Sequence, residues 1–199
     1  MSDTAEIESK FAVDGFAPVR AALAAAGGER LSRWFEENIV LDTADGDLRR
    51  RDILLRLRRD AAGKVTLKLP AAVPGNPAIK IRREIETGVG DLAALEAIFA
   101  ALGYLPRLRY EKVRETWRLG PVLVCLDRLP YGRFVEIEGP APDIAAAAAS
   151  LGLSMAAATA KTYHDLYQDH LAASGLPPAD SFVFTPQGRR EALAESGDA

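Results

Sequence analysis

Between positions 55 and 69 the chain alternates apolar and polar side chains twice with hardly a break. Leu55-Arg56-Leu57-Arg58 comes first, and Lys64-Val65-Thr66-Leu67-Lys68-Leu69 follows after a turn at Asp60 to Gly63. Successive side chains of an extended strand point to opposite faces, so a period of two sorts residues cleanly only in a strand. Arg56 and Arg58 therefore share one face and Leu55 and Leu57 the other. Thr66 and Lys68 stand opposite Val65, Leu67 and Leu69 in the same way. A fold containing these strands must bury one face and find a use for a charged one.

The alternation recurs along the chain. Glu6-Ile7-Glu8-Ser9-Lys10 sets three charged groups on one face. Lys80, Arg82, Glu84 and Glu86 share a face, although Arg83 on the opposite side blurs the parity. Tyr110, Lys112, Arg114 and Thr116 form another row, and Glu136-Ile137-Glu138 a further one. Strands are predicted over 5–13, 31–42, 52–59, 64–69, 78–87, 108–119, 122–128 and 134–139. The predicted helices are Phe16 to Ala26, Asp91 to Leu102 with Asp91 as cap, Asp143 to Leu151, and Thr159 to Leu171. Ala44 to Asp47 reads as a turn and Pro70 to Pro77 as a loop. About eight strands joined by short turns favour an antiparallel sheet closing on itself. The predicted fold is α+β and mainly β, an eight-stranded antiparallel closed barrel with helices outside. It spans 1–175, and a polar, partly ordered tail covers 176–199.

Two arrangements satisfy the alternation. Charged faces can meet solvent around a sandwich core, or they can line the inside of a barrel wide enough for a ligand. The helices around Ala21, Leu95 and Ala147 need apolar surface to cover, which an inward charged face would leave on the barrel's outside. Arginine forks and lysines suit phosphate oxygens. Glu-x-Glu pairs are hard oxygen donors for magnesium or manganese. A lumen with both suits a linear polyphosphate with bound metal. No Gly-x-x-x-x-Gly-Lys-Ser/Thr loop and no Gly-x-Gly-x-x-Gly occurs, so those phosphate-binding routes are absent.

A net charge of -3 argues against coating nucleic acid. The single Cys125 excludes an internal disulfide, and with two histidines a structural zinc site is not expected. Met1 to Ser9 is acidic and polar, unlike a signal peptide, and the alanine-rich run Ile144 to Ala160 is interrupted by Ser150, Gly152 and Ser154. A cytoplasmic protein acting on a small molecule, monomeric or homodimeric, without membrane or nucleic-acid partners, is the expectation.

The ordered set of motifs resembles the CYTH superfamily, the triphosphate tunnel metalloenzymes. Glu6-Ile7-Glu8-Ser9-Lys10 is similar to the family's Glu-x-Glu-x-Lys signature. The resemblance continues through Asn38 to Thr43, Leu55 to Arg58, Thr66 to Lys68, Arg82 to Glu86, Lys112 to Arg114, Asp127, Gly132 to Glu138 and Lys161 to Tyr163. It implies an eight-stranded tunnel that binds triphosphate and uses Mg2+ or Mn2+. It implies metal at Glu6, Glu8, Glu136 and Glu138, with Asp127 and Glu86 as further ligands. It also implies phosphate contacts from Lys10, Arg56, Arg58, Lys68, Arg82 (or Arg83), Lys112 and Arg114, with Lys161 and Tyr163 capping the tunnel from their helix. Glu136 and Glu138 are the expected catalytic carboxylates. Lys68 is a candidate base if cations flank it, and otherwise a phosphate ligand.

Three functions follow. A hydrolase would remove the terminal phosphate of inorganic tripolyphosphate or a small organic triphosphate. A cyclase would make cyclic AMP and pyrophosphate from ATP. A module would bind polyphosphate or nucleotide without turnover. The number of carboxylates argues against the last. The hydrolase is preferred, because no adenine pocket is identified; Trp34 is the residue able to stack on a flat group, against a packing role.

Overall fold

The computed structural model describes residues 2–70 and 78–195, with only the backbone described for 2–4. The loop expected at Pro70 to Pro77 lies, beyond Pro70, outside the described residues. Eight strands run β1 (Ser2–Val13), β2 (Glu29–Asp42), β3 (Leu54–Arg59), β4 (Gly63–Pro70), β5 (Lys80–Val89), β6 (Leu105–Leu119), β7 (Val122–Leu129) and β8 (Gly132–Glu138). They form one closed antiparallel barrel in the order β1-β5-β4-β3-β2-β6-β7-β8. Closure falls to β1. Its first half pairs with β5 (Glu6↔Arg82, Glu8↔Lys80) and its second with β8 (Glu8↔Glu138, Lys10↔Glu136). Glu8 is where the two ladders meet.

The apolar halves of the alternating strands face outward, and helices cover them. Helix α1 (Ala17–Ala25) and helix α4 (Ala141–Ser150) bury Val19, Leu23, Ile144, Ala147 and Ala148. These pack on Phe11 of β1, on Val122, Val124 and Leu126 of β7, and on Val135 and Ile137 of β8. Alanine on the buried face of α4 lets the helix approach the sheet closely. Across the barrel, Leu92, Leu95 and Phe99 of helix α3 (Leu92–Ala101) pack against Leu55 and Leu57 of β3, Leu41 of β2 and Val65 and Leu67 of β4. Asp91 caps α3 by accepting a hydrogen bond from the Ala94 amide at 2.9 Å. This is why the charged faces turn inward: exposing both coats of aliphatic side chains to water would cost more than lining a wet lumen with paired charges.

Two expectations need correction, and a third gains detail. The Ala44 to Asp47 turn leads into a short helix, α2 (Asp47–Arg50), whose first amides are held by Asp42: its carboxylate accepts from the Leu48 and Arg49 amides at 2.8 and 3.0 Å. The helix predicted from Thr159 begins at Tyr163, because Thr159 pairs with Lys10 of β1 and Thr162 forms a capping box with Asp165. That helix is α5 (Tyr163–Ala173). Of the tail expected over 176–199, the described residues up to 195 return to the barrel. Phe182 is buried in an aromatic cluster with Tyr110, Leu129, Phe134 and Tyr163, and helix α6 (Pro186–Ala194) docks on the barrel. Arg33 of β2 donates to the last carbonyls of α6, Ala192 and Leu193, at 2.8 and 3.1 Å.

Candidate active site

The barrel encloses a cavity of about 1110 Å³. Glu6, Glu8 and Lys10 of β1 line it, as do Arg56 and Arg58 of β3, Lys64 and Lys68 of β4, and all of Lys80, Arg82, Glu84 and Glu86 of β5. Lys112 and Arg114 of β6 and Glu136 and Glu138 of β8 complete the charged wall. Every triphosphate or metal candidate except Asp127 and Lys161 thus faces one lumen. The Arg82 or Arg83 ambiguity resolves in favour of Arg82, which is buried in the wall, whereas Arg83 is exposed on the other face.

Cations and carboxylates interleave around the wall. The Lys10 ammonium bonds Glu8 and lies 3.1 Å from Glu136. Lys68 lies 2.5 Å from Glu6 and 2.7 Å from Glu84. Arg58 holds Glu86 at 3.0 Å, and Arg82 bonds Asp52 at the cavity's edge. Arg114 reaches Glu136 at 2.9 Å. Burial pulls Glu136 toward protonation, but Arg114 and Lys10 hold its carboxyl well below the usual range. Burial likewise opposes ionisation of Glu36 of β2, yet Lys112 and Arg114 bring it down to about 2. Burial pushes the Cys125 thiol up to about 12, which leaves it an inert wall residue.

Asp127 and Lys161 do not line the cavity. Asp127 is 0% exposed, on the same face of β7 as the cavity-lining Leu123 and Cys125 but covered by its own partners. Arg114 grips both its oxygens at 2.7 and 2.5 Å, Lys112 reaches it at 3.2 Å, and the Tyr163 hydroxyl donates to it at 2.6 Å. With its lone pairs directed at these donors it is the counter-ion that orients two phosphate-binding candidates. Lys161 is half exposed outside the lumen and bonds Asp169 of α5 at 2.6 Å; Tyr163, two residues on, is the group that enters the site.

The condition set for Lys68 as a base also fails. Carboxylates flank it, and despite burial Glu6 and Glu8 raise its pKa, keeping it an ammonium. The lysine among cations is Lys80, lowered to about 8 by burial and by Lys10, Arg82 and Lys68. Sequence reasoning did not single out Lys80 because the effect depends on which residues meet across strands. It missed Glu36 because Glu36-Glu37 gives β2 no readable parity.

The carboxylates fit a hard divalent cation in chemistry, though not as a finished cage. Among the described residues no three Asp, Glu, His or Cys side chains converge on one point, since lysines stand between them. Glu138 is the exception, with no ion pair or hydrogen bond among the described residues. Burial, then Glu6 and Glu136, raise its pKa to about 7. A cation beside Glu138 would relieve that repulsion. The folded chain holds this proton more tightly than the unfolded chain, whose carboxyl titrates near 4.5. Glu138 therefore makes stability fall as pH rises from about 4.5 to about 7. In metal-free buffer, Glu138→Gln is expected to melt above wild type at pH 8 and to lose that advantage near pH 5. Parallel melting curves at both pH values would place Glu138 in solvent instead.

Trp34 faces the lumen from β2 and is 50% exposed, directly across from Arg114 on β6. Its ring makes no aromatic contact among the described residues, so the packing role expected for it is not what the structure shows.

Comparisons with known proteins agree with this geometry. A protein of Methanocaldococcus jannaschii named "Putative adenylate cyclase" is 30% identical over 141 residues, 70% of this chain and 79% of that protein. A structure from Vibrio parahaemolyticus, described as a putative adenylate cyclase, superposes with a TM-score of 0.73 at 19% identity, covering 83% of this chain and 99% of that one. A Hippeastrum protein described as a putative adenylyl cyclase with a dominant triphosphatase activity superposes at 0.56 with 15% identity, covering 89% and 98%. Residues 4–163, most of the chain and nearly all of the barrel, match the CYTH domain. The chain belongs to the CYTH family.

Proposed function

We propose that this protein is a divalent-metal-dependent triphosphatase that removes the terminal phosphate of inorganic tripolyphosphate or a small organic triphosphate inside the barrel. CYTH proteins are enzymes, triphosphatases or adenylate cyclases, and are generally divalent-metal dependent. The observation that carries the reading is the mixed wall. A lumen built only to bind polyphosphate would need the cations without the carboxylates facing them. The near pairing of charges means that an entering triphosphate needs extra positive charge to be neutralised, which suits entry with a metal ion.

In this reading Arg56, Arg58, Arg82, Lys112 and Arg114 bind phosphate oxygens, arginine through paired N–H groups. Lys10 and Lys68 turn from their carboxylates to the substrate. Glu6, Glu8, Glu136 and Glu138 would hold Mg2+ or Mn2+, with Glu86 beside Arg58 as a further donor. Bound there, the metal would neutralise charge and polarise a phosphoryl oxygen or water. The cations stabilise charge spread over the phosphoryl oxygens as the terminal P–O bond breaks. The Lys80 amine is the group able to take the proton of the attacking water, since its pKa lies near neutrality. Arginine cannot lose its proton, so Lys80→Arg is expected to lower kcat by about a hundredfold with a smaller change in KM. Wild-type kcat in that variant would exclude Lys80 as the base.

The cyclase is the second reading, favoured by the names of the relatives and by the half-exposed ring of Trp34. There the ribose 3′-hydroxyl attacks the α-phosphorus and pyrophosphate leaves. Product analysis decides between them, with purified protein, Mg2+ or Mn2+, and tripolyphosphate, thiamine triphosphate and ATP offered in parallel. Chelator-sensitive orthophosphate release supports the triphosphatase. Cyclic AMP with pyrophosphate from ATP establishes the cyclase, and binding without product overturns both.

A further inference from the structure

Arg56 differs from the other arginines of the wall. It is buried, yet among the described residues it makes no ion pair. Its guanidinium is held by neutral groups: Nη1 donates to the Tyr110 hydroxyl at 3.1 Å and Nη2 to Thr66 Oγ1 at 3.3 Å, while Nε has no partner. An arginine fixed by hydroxyls keeps its full charge for an incoming anion and has no carboxylate to release first.

Tyr110 is itself held from outside the segment matching the family. Its neighbour strand β7 pairs with β6 only from Val113 onward. Along the unpaired stretch runs the chain at 181–184, beyond residues 4–163. The Phe182 amide donates to the Arg109 carbonyl at 3.0 Å, and the Glu111 amide donates to the Phe182 carbonyl at 3.1 Å. The Arg109 amide donates to Ser181 Oγ at 2.9 Å, and the Phe184 amide to the Glu111 carboxylate at 3.0 Å. These bonds bracket Tyr110 on both sides. Phe182, 3% exposed, stacks on the Tyr110 ring with centroids 5.1 Å apart and planes at 26°. Tyr131 and Tyr167 close around Phe182 at 5.4 and 5.0 Å.

We propose that Phe182 and Tyr110 are positioning residues: the C-terminal strap clamps the Tyr110 ring so that its hydroxyl sets Arg56 in place for a substrate phosphate. The inference rests on the reading of the lumen as a triphosphate site. A segment outside the family match thereby tunes how tightly this chain binds its substrate. Tyr110→Phe removes only the hydroxyl, and Phe182→Ala only the clamp. Both act through one guanidinium, so their effects are coupled rather than additive.

The test is calorimetric titration of tripolyphosphate into the full chain, with melting curves on each variant. Tyr110→Phe is expected to weaken binding about tenfold, as losing one hydrogen bond to a charged group does. Phe182→Ala should weaken it comparably, the double variant little more than either, and Phe182→Tyr should restore it. In turnover the loss should fall on KM more than on kcat. Wild-type affinity in folded Tyr110→Phe, or strictly multiplicative losses in the double variant, overturns the proposal and leaves the triphosphatase reading standing. If Phe182→Ala does not fold, Tyr110→Phe decides alone. Failure of wild type to bind tripolyphosphate overturns the functional reading and this inference with it.

Discussion

Glu136→Gln is expected to lower turnover by about a hundredfold to a thousandfold, the scale of losing one preorganised electrostatic partner in a site. Glu136 stands between Lys10 at 3.1 Å and Arg114 at 2.9 Å and is almost fully buried. Glutamine keeps the shape and one acceptor oxygen but removes the charge. On the proposed reading the lumen then loses a donor for the metal, and two buried cations lose part of their compensation. Stability should fall by about 1–3 kcal/mol, because an acceptor remains for one of the two donors. Triphosphate itself should bind no more weakly than to wild type, since the wall has become more positive. Initial rates across a metal titration, together with metal-free binding of tripolyphosphate, check both halves. Wild-type turnover in a folded variant would remove Glu136 from the chemistry.

Asp127→Ala should have the largest effect on stability, about 3–5 kcal/mol, as for breaking a buried ion pair from one side. The change strands Arg114 and Lys112 without their shared carboxylate and leaves the Tyr163 hydroxyl with no acceptor. For a chain of this size the melting temperature should drop by roughly 10 °C or more. Asp127→Asn, which keeps an acceptor, should fall between. The same measurement separates the two roles considered for this residue. As a counter-ion, its loss should leave the increment in melting temperature from added Mg2+ unchanged. A metal ligand would lose that increment, and such a result would return Asp127 to the metal set.

Much of the architecture was legible because strand periodicity is a local property. Leu55 to Arg58, Lys64 to Leu69 and Glu136 to Glu138 sort their faces within a few residues, and each turned as the alternation required. The inward-facing set was legible to the same depth: which residues face inward follows from parity once one residue is placed. What failed has a common cause. Lys161 matches a short motif, but the helix begins two residues later, and that offset rotates Lys161 to the exposed side and Tyr163 into the lumen. The strap at Ser181 to Phe184 is short, and although Phe182, Val183 and Phe184 mark it for burial, nothing local says which surface will cover it. It is held by an edge of β6 that exists only because β7 begins its pairing late.

From the sequence alone came the alternating strands, the apolar coats that call for covering helices, and the inventory of charges on each inward face. These depend on neighbours two residues apart and survive any detail of packing. Tertiary structure alone decided which charges meet. Register across the barrel puts Lys68 between carboxylates and Lys80 among cations, seals Asp127 behind Arg114, and leaves Arg56 held by hydroxyls. Coulomb energy in a buried site changes steeply over a few ångströms, and those distances are set between strands far apart in the chain.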